Sequence, residues 1–263
     1  MTFTVTSLSA IERAFKDADQ LGAVIPKNVR AGHAELVGIV ARTRDFTATL
    51  RRDLGTAVVA AVEAEVDPLA DPAVQEAAMA AHVNAGYGAV NGALHARMGA
   101  FVNAAAPAVL DALRKPFDAA AADIAAAVAV LGDISLDDTS SVARKGPAAG
   151  KAWVEAENGE QTITAVVRVW RNLASAGATS VGPWSDRYGL LAWCDVPAEA
   201  FVNEGLAGAK VRPWDAARRG WSLDLATPEG WRQRIAGIGD EEARRREQRK
   251  AEADKARAAV GLA

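Results

Sequence analysis

The stretch AAAADIAAAVA at residues 119–129 belongs to an alanine-rich region that dominates the first half of the chain. Residues 57–129 contain 28 alanines among 73 positions. A core built from such small side chains suits helices that pack closely against one another. The alanine-rich region therefore predicts a helical architecture for the front of the protein.

The tryptophans are distributed in the opposite way. All seven lie after residue 152, at Trp153, Trp170, Trp184, Trp193, Trp214, Trp221 and Trp231. Each indole ring buries about 150–250 Å², so a few rings can fill a small core. We predict a mainly α protein with an alanine-rich antiparallel helical bundle at 1–135 and a small tryptophan-rich α+β domain at 152–238.

Apolar periodicity and helix-end signals place the elements of the bundle. Helices are predicted at residues 9–22, 29–66, 72–103 and 107–131. Ser9 has capping-box spacing to Glu12, and Asp71 is an N-cap candidate before a proline. Pro116 is expected to bend the last of these helices, and Gly132 to follow its C-terminus. Long helices joined by short turns favour an antiparallel bundle.

A polar, glycine-containing segment follows the bundle. Residues 136–151 offer little to bury and predict a linker between domains. Residues 152–170 resemble a β-hairpin around Asn158-Gly159, with β-branched residues on the second strand. The same residues also form a helical stripe (Ile163, Val166, Val167, Trp170, Leu173), so over 161–174 strand is only slightly favoured over helix.

The remaining elements are short, except for the last. Strands are predicted at 190–194 and 221–225, with a helix at 197–206 between them. Thr227 is an N-cap candidate before Pro228, which suits the first helical position. Residues 239–263 are highly charged and predict an exposed helix supported by Glu–Arg and Glu–Lys pairs, ordered mainly when it meets a partner.

Glycines interrupt the third predicted helix. Gly88, Gly92 and Gly99 share a face, and such small residues let another backbone approach closely. The stripe predicts a tight helix crossing within the bundle or between subunits. A membrane-active hairpin over 77–110 is an alternative, although asparagines interrupt the apolar run that a membrane span requires.

Motifs for common chemistries are absent from the sequence. There is no paired-histidine or Cys-x-x-Cys metal motif, no nucleophile elbow and no phosphate-binding glycine loop. The single cysteine, Cys194, is flanked by Trp193 and Asp195 and is interpreted as a small core residue. We therefore predict no catalytic residue, no metal site and no cofactor.

Basic residues form two clusters that are candidates for partner binding. They are Arg42, Arg44, Arg51 and Arg52 in the second helix, and Arg244, Arg245 and Arg246 at the start of the tail. Residues 63–76 are acidic instead. Segregated charge of this kind can set the register of packed helices or of subunits.

Taken together, these features predict a non-enzymatic structural or interaction protein that forms homo-oligomers and binds protein partners. Its alanine-rich, motif-poor and modular sequence resembles structural and assembly proteins of actinobacterial phages, which implies a virion or assembly component. The alternatives are a nucleic-acid-associated protein that uses the basic clusters and a membrane-active helical protein. A net charge of −3 does not favour nucleic acid. Synthesis in the cytoplasm is expected because no signal peptide is evident.

Overall fold

The computed structural model describes residues 2–49, 54–85, 87–177 and 185–259 and is mainly helical, as predicted. The α-helices are α1 (Thr2–Gln20), α2 (Lys27–Thr49), α3 (Leu54–Glu63), α4 (Pro72–Ala85), α5 (Tyr87–Ala112), α6 (Arg114–Leu131), α7 (Thr139–Lys145), α8 (Pro147–Ser175), α9 (Ala198–Asn203), α10 (Pro213–Arg218) and α11 (Pro228–Ala259). A 3₁₀ helix spans Asp186–Ala192. Strands β1 (Cys194–Asp195) and β2 (Ser222–Leu223) pair antiparallel.

Helix α8 replaces the predicted hairpin at 152–170. It buries one continuous face that includes Ile163, Val166, Trp170 and Leu173. The strand prediction there is wrong, because burying this helical stripe outweighs the β propensity of the branched residues. Gly159, read as a turn residue, lies in the interior of the helix.

The predicted linker at 136–151 is also structured. Asp138 caps α7 by accepting a hydrogen bond from the Ser141 N–H at 3.0 Å. Leu136, Val142 and Ala149 are buried in the main core, which combines residues of α1, α2 and α5 through α11. The polar composition predicted a linker because few side chains of this segment are apolar, but the largest of them, Leu136 and Val142, pack into the core.

Three predicted helix ends are confirmed. Asp71 accepts hydrogen bonds from the N–H groups of Ala73 (2.7 Å) and Val74 (3.2 Å). Gly132 adopts a φ of 63° after α6 and donates to the Val128 carbonyl. The Thr227 hydroxyl accepts from the Gly230 N–H at 3.0 Å, at the start of α11.

Other predicted boundaries differ from the structure. Helix α1 begins at Thr2, so Ser9 lies inside it. Pro107 lies within α5. The helix is interrupted at Leu113, and it does not bend at Pro116. A proline ring clashes with the carbonyl four residues earlier, so Pro116 is accommodated in the first turn of a new helix. The predicted strand at 190–194 is a 3₁₀ helix up to Ala192.

The predicted burial of tryptophan rings is confirmed, but the rings share the main core with the N-terminal helices and do not fill a core of their own. Trp170, Trp214 and Trp231 are at most 2% exposed, and Trp170 meets Trp231 edge-on at 6.1 Å between ring centroids. Trp153 and Trp221 are half-buried. Trp184 lies outside the described residues.

Helix α8 approaches α6 closely at Gly159. A Cβ added at Gly159 would lie 2.8 Å from Ile124 Cγ1 and 3.0 Å from the Ala120 carbonyl oxygen. The Trp153 indole donates to the Leu136 carbonyl at 2.7 Å, beyond the end of α6. Later residues of α8 thus contact earlier residues of α6, so the two helices are antiparallel.

We predict that Gly159→Ala lowers the free energy of unfolding by about 1–2 kcal/mol, because the added methyl group overpacks the α6–α8 crossing. Gly150→Ala is the matched control on α8, since no atom lies within 4 Å of its added Cβ. The control should gain up to about 1 kcal/mol from helix propensity. Urea unfolding of both variants measures the difference, and equal gains at the two positions would contradict the tight crossing.

Candidate interaction surface

Helices α3 and α4 form a hairpin, residues 54–85, with a small core of its own. Ala61 on α3 and Val74, Ala77 and Ala80 on α4 are buried. These four residues lie outside the main core cluster. Three of the four side chains are single methyl groups, so the hairpin buries little apolar area between its two helices.

Larger apolar side chains of the hairpin point to solvent. We call these residues the hairpin face: Val59 (57% exposed), Val62 (60%), Val66 (43%), Leu69 (83%) and Met79 (68%). A single exposed apolar residue is ordinary on protein surfaces. Several large apolar side chains exposed on one short element are typical of an interaction site.

The hairpin face is surrounded by negative charge. Five acidic residues lie between positions 54 and 85, at Glu63, Glu65, Asp67, Asp71 and Glu76. The sequence contains no lysine or arginine from 54 to 96. A surface that is both apolar and acidic favours a partner that presents lysine or arginine side chains next to apolar groups.

In the described part of the chain, Gly92 and Gly99 of the predicted glycine stripe lie at no close helix crossing. A Cβ added at Gly92 or Gly99 would have no atom within 4 Å, and the surroundings of Gly88 lie outside the described residues. Close approaches occur instead at Gly159 and at Gly32, where an added Cβ would lie 2.9 Å from Phe101. Contact of the stripe with a second subunit stays a prediction.

The two predicted basic clusters differ in structure. Arg42 and Arg44 are exposed on α2, while Arg51 and Arg52 lie outside the described residues.

The second basic cluster, at residues 244–246, has partners within the chain. Arg244 and Arg245 pair with the buried Glu241 carboxylate at 3.0 and 2.7 Å, and Arg246 donates to the Glu242 carbonyl at 3.3 Å. The hydrogen bond from Arg245 lowers the pKa of Glu241. Residues 246–257, which we call the α11 tail, are all exposed.

An ionic cluster that the sequence analysis missed joins α8 to the start of α10. Glu160, whose side chain is 10% exposed, accepts from Arg212 at 2.6 Å and from the Trp214 N–H at 2.9 Å. Asp137 accepts from the same guanidinium at 2.8 Å. These hydrogen bonds raise the pKa of Arg212. The cluster anchors the start of α10 on α8.

The interpretation of Cys194 as a core residue is confirmed. Its side chain is fully buried, and burial raises the pKa of the thiol to about 12. Arg234 opposes the shift but is the smaller influence. The thiol is therefore protonated and shielded at neutral pH, which makes it a poor nucleophile.

In the parts of the chain that the structure describes, no three His, Cys, Asp or Glu residues are placed to hold a metal ion. No helix in those parts has an apolar run sufficient to cross a bilayer.

Comparisons of the chain with protein-family models, with curated proteins and with solved structures found no match.

Replacing Arg212 by Met should lower the free energy of unfolding by about 2–3 kcal/mol, because Glu160 is left buried without its cation. This is below the loss for fully buried pairs because the guanidinium reaches solvent. Arg97→Met is the control, since its pair with Glu35 is 60% and 63% exposed and is worth less than about 1 kcal/mol.

Adding Glu160→Gln to Arg212→Met should recover part of the loss, because the amide removes the unpaired charge and still accepts from Trp214. Urea denaturation measures all of these variants. Equal losses for Arg212→Met and Arg97→Met would show that the cluster does not hold α10.

Cys194 should react with a thiol reagent at pH 8 at least about 100-fold more slowly in the folded protein than in denaturant, because burial removes both access and thiolate. The absorbance of released thionitrobenzoate measures the two rates. Rapid labelling without denaturant would contradict the buried position.

Proposed function

We propose that the protein is a non-enzymatic structural or interaction protein that assembles with copies of itself through its helices. The hairpin face carries this proposal, because it places five large apolar side chains in solvent on one element. We further propose that it is a component of a virion, or of virion assembly, of a phage with an actinobacterial host. The alanine-rich, motif-poor sequence supports that assignment.

The energetics of the hairpin support a partner. Helices α3 and α4 have 10 and 14 residues, and isolated helices shorter than about 12–15 residues are marginal in water. Covering a valine or methionine side chain contributes about 1.5–3 kcal/mol. A second protein surface over the hairpin face would therefore stabilise both the hairpin and the assembly.

The finer architecture of the proposal follows from the same elements. In this proposal the alanine-rich helices act as an antiparallel bundle that presents the hairpin, and the tryptophan-rich region with its short sheet packs against the same core. The charged α11 tail extends from that region towards a partner. The internal pairing of Arg244 and Arg245 gives less support to nucleic acid as that partner.

The test is light scattering after size-exclusion chromatography over a range of protein concentrations. We expect the wild-type protein to be oligomeric and Val62→Ser/Met79→Ser to weaken association by more than about tenfold, because less apolar surface is covered. Val24→Ser/Val154→Ser is the matched control on exposed residues elsewhere (85% and 48% exposed) and should leave association unchanged.

A wild-type protein that is monomeric at every concentration would contradict self-assembly. Equal effects of the hairpin and control variants would show that another surface carries it. Circular dichroism of each variant verifies that the helices remain folded.

A further inference from the structure

We propose that the occupant of the hairpin face is the α11 tail of a second copy of this chain. This inference rests on the proposed function and names its partner. Both elements are exposed in the same molecule, so a single chain does not join them in this structure.

The charges of the two surfaces are complementary. Between positions 54 and 85 the hairpin carries five acidic residues and no lysine or arginine. The α11 tail carries five lysines and arginines against three acidic residues. Opposite potentials of this kind steer association and fix its register.

The tail concentrates its positive charge on one side. At 100° per residue, Arg246, Arg249, Lys250, Ala253 and Arg257 fall within about 100° of arc. No acidic residue interrupts this arc, because Glu247, Glu252 and Asp254 project outside it. We call this arc the basic side of the tail.

The acidic groups of the hairpin lie beside its apolar groups in a matching way. Glu63 is one helical turn from Val59 and adjacent to Val62 on α3. Long cationic side chains can lay their methylene stems over valines while their charged ends reach carboxylates. Ala253, at the middle of the basic side, leaves room for the helices to approach.

Hairpin-to-hairpin pairing is disfavoured by the same observations. It would bring five acidic residues of one copy against five of another, with no cation between them. Tail-to-hairpin contact joins two different surfaces, because the α11 tail of one copy binds the hairpin of another. Such contacts close into rings or grow into filaments.

The test is a charge reversal on the tail, measured by sedimentation velocity of the full chain. Lys250→Glu/Arg257→Glu should weaken association at least about tenfold. Both positions are exposed, so the core is untouched, and circular dichroism of the variant verifies that α11 remains helical. Arg13→Glu/Lys115→Glu makes the same change in charge at exposed positions on α1 and α6 and should have little effect.

Reversal of the hairpin charges provides the rescue. Adding Glu63→Lys/Glu65→Lys to the tail variant should restore association towards the wild-type value, because opposite charges meet again. Wild-type association should also weaken from about 0.1 M to about 1 M salt, where the Debye length falls from about 10 to about 3 Å.

Each outcome decides between the two proposals. Association that survives tail reversal but is lost in Val62→Ser/Met79→Ser overturns the tail as occupant and leaves self-assembly intact. Failure of the hairpin reversal to rescue the tail variant also overturns it. A wild-type chain that never associates overturns the proposed function as well.

Discussion

The contact between α8 and α6 at Gly159 is the constraint on which the rest of the structure depends. Because Gly159 has no Cβ, the Ile124 side chain and the Ala120 carbonyl approach its backbone more closely than a larger residue would permit. That approach sets α8 antiparallel to α6 and aligns its buried face with the main core. The α8 side chains that meet tryptophans of later segments are placed by this one crossing.

The neighbouring residue extends the constraint to the C-terminal part of the chain. Glu160 is buried next to the crossing and accepts hydrogen bonds from Arg212 and from the backbone of Trp214. Because a carboxylate without a cation is costly in a dry environment, this pair ties α10 to α8. Close packing at Gly159 and charge pairing at Glu160 thus join α8 to α6 and to α10.

The hairpin and the α11 tail are packed much more sparsely than the crossing of α8 and α6. The hairpin core consists of Ala61, Val74, Ala77 and Ala80, while larger apolar residues face outward. No residue of the α11 tail is buried. A well-packed body that carries two sparsely packed, oppositely charged elements is the arrangement expected of a protein completed by assembly, which is the function we propose.

The sequence by itself determined the mainly helical fold, the helix ends at Asp71, Gly132 and Thr227, and the burial of Cys194 and most tryptophans. These features depend on local backbone geometry and on side-chain hydrophobicity, which a linear pattern contains. Only the tertiary structure decided that 152–170 is helical, that 136–151 is packed and that Glu160 meets Arg212. Residues 52 positions apart pair because helices bring them together, and ambiguous β-branched segments adopt whichever structure buries their apolar side.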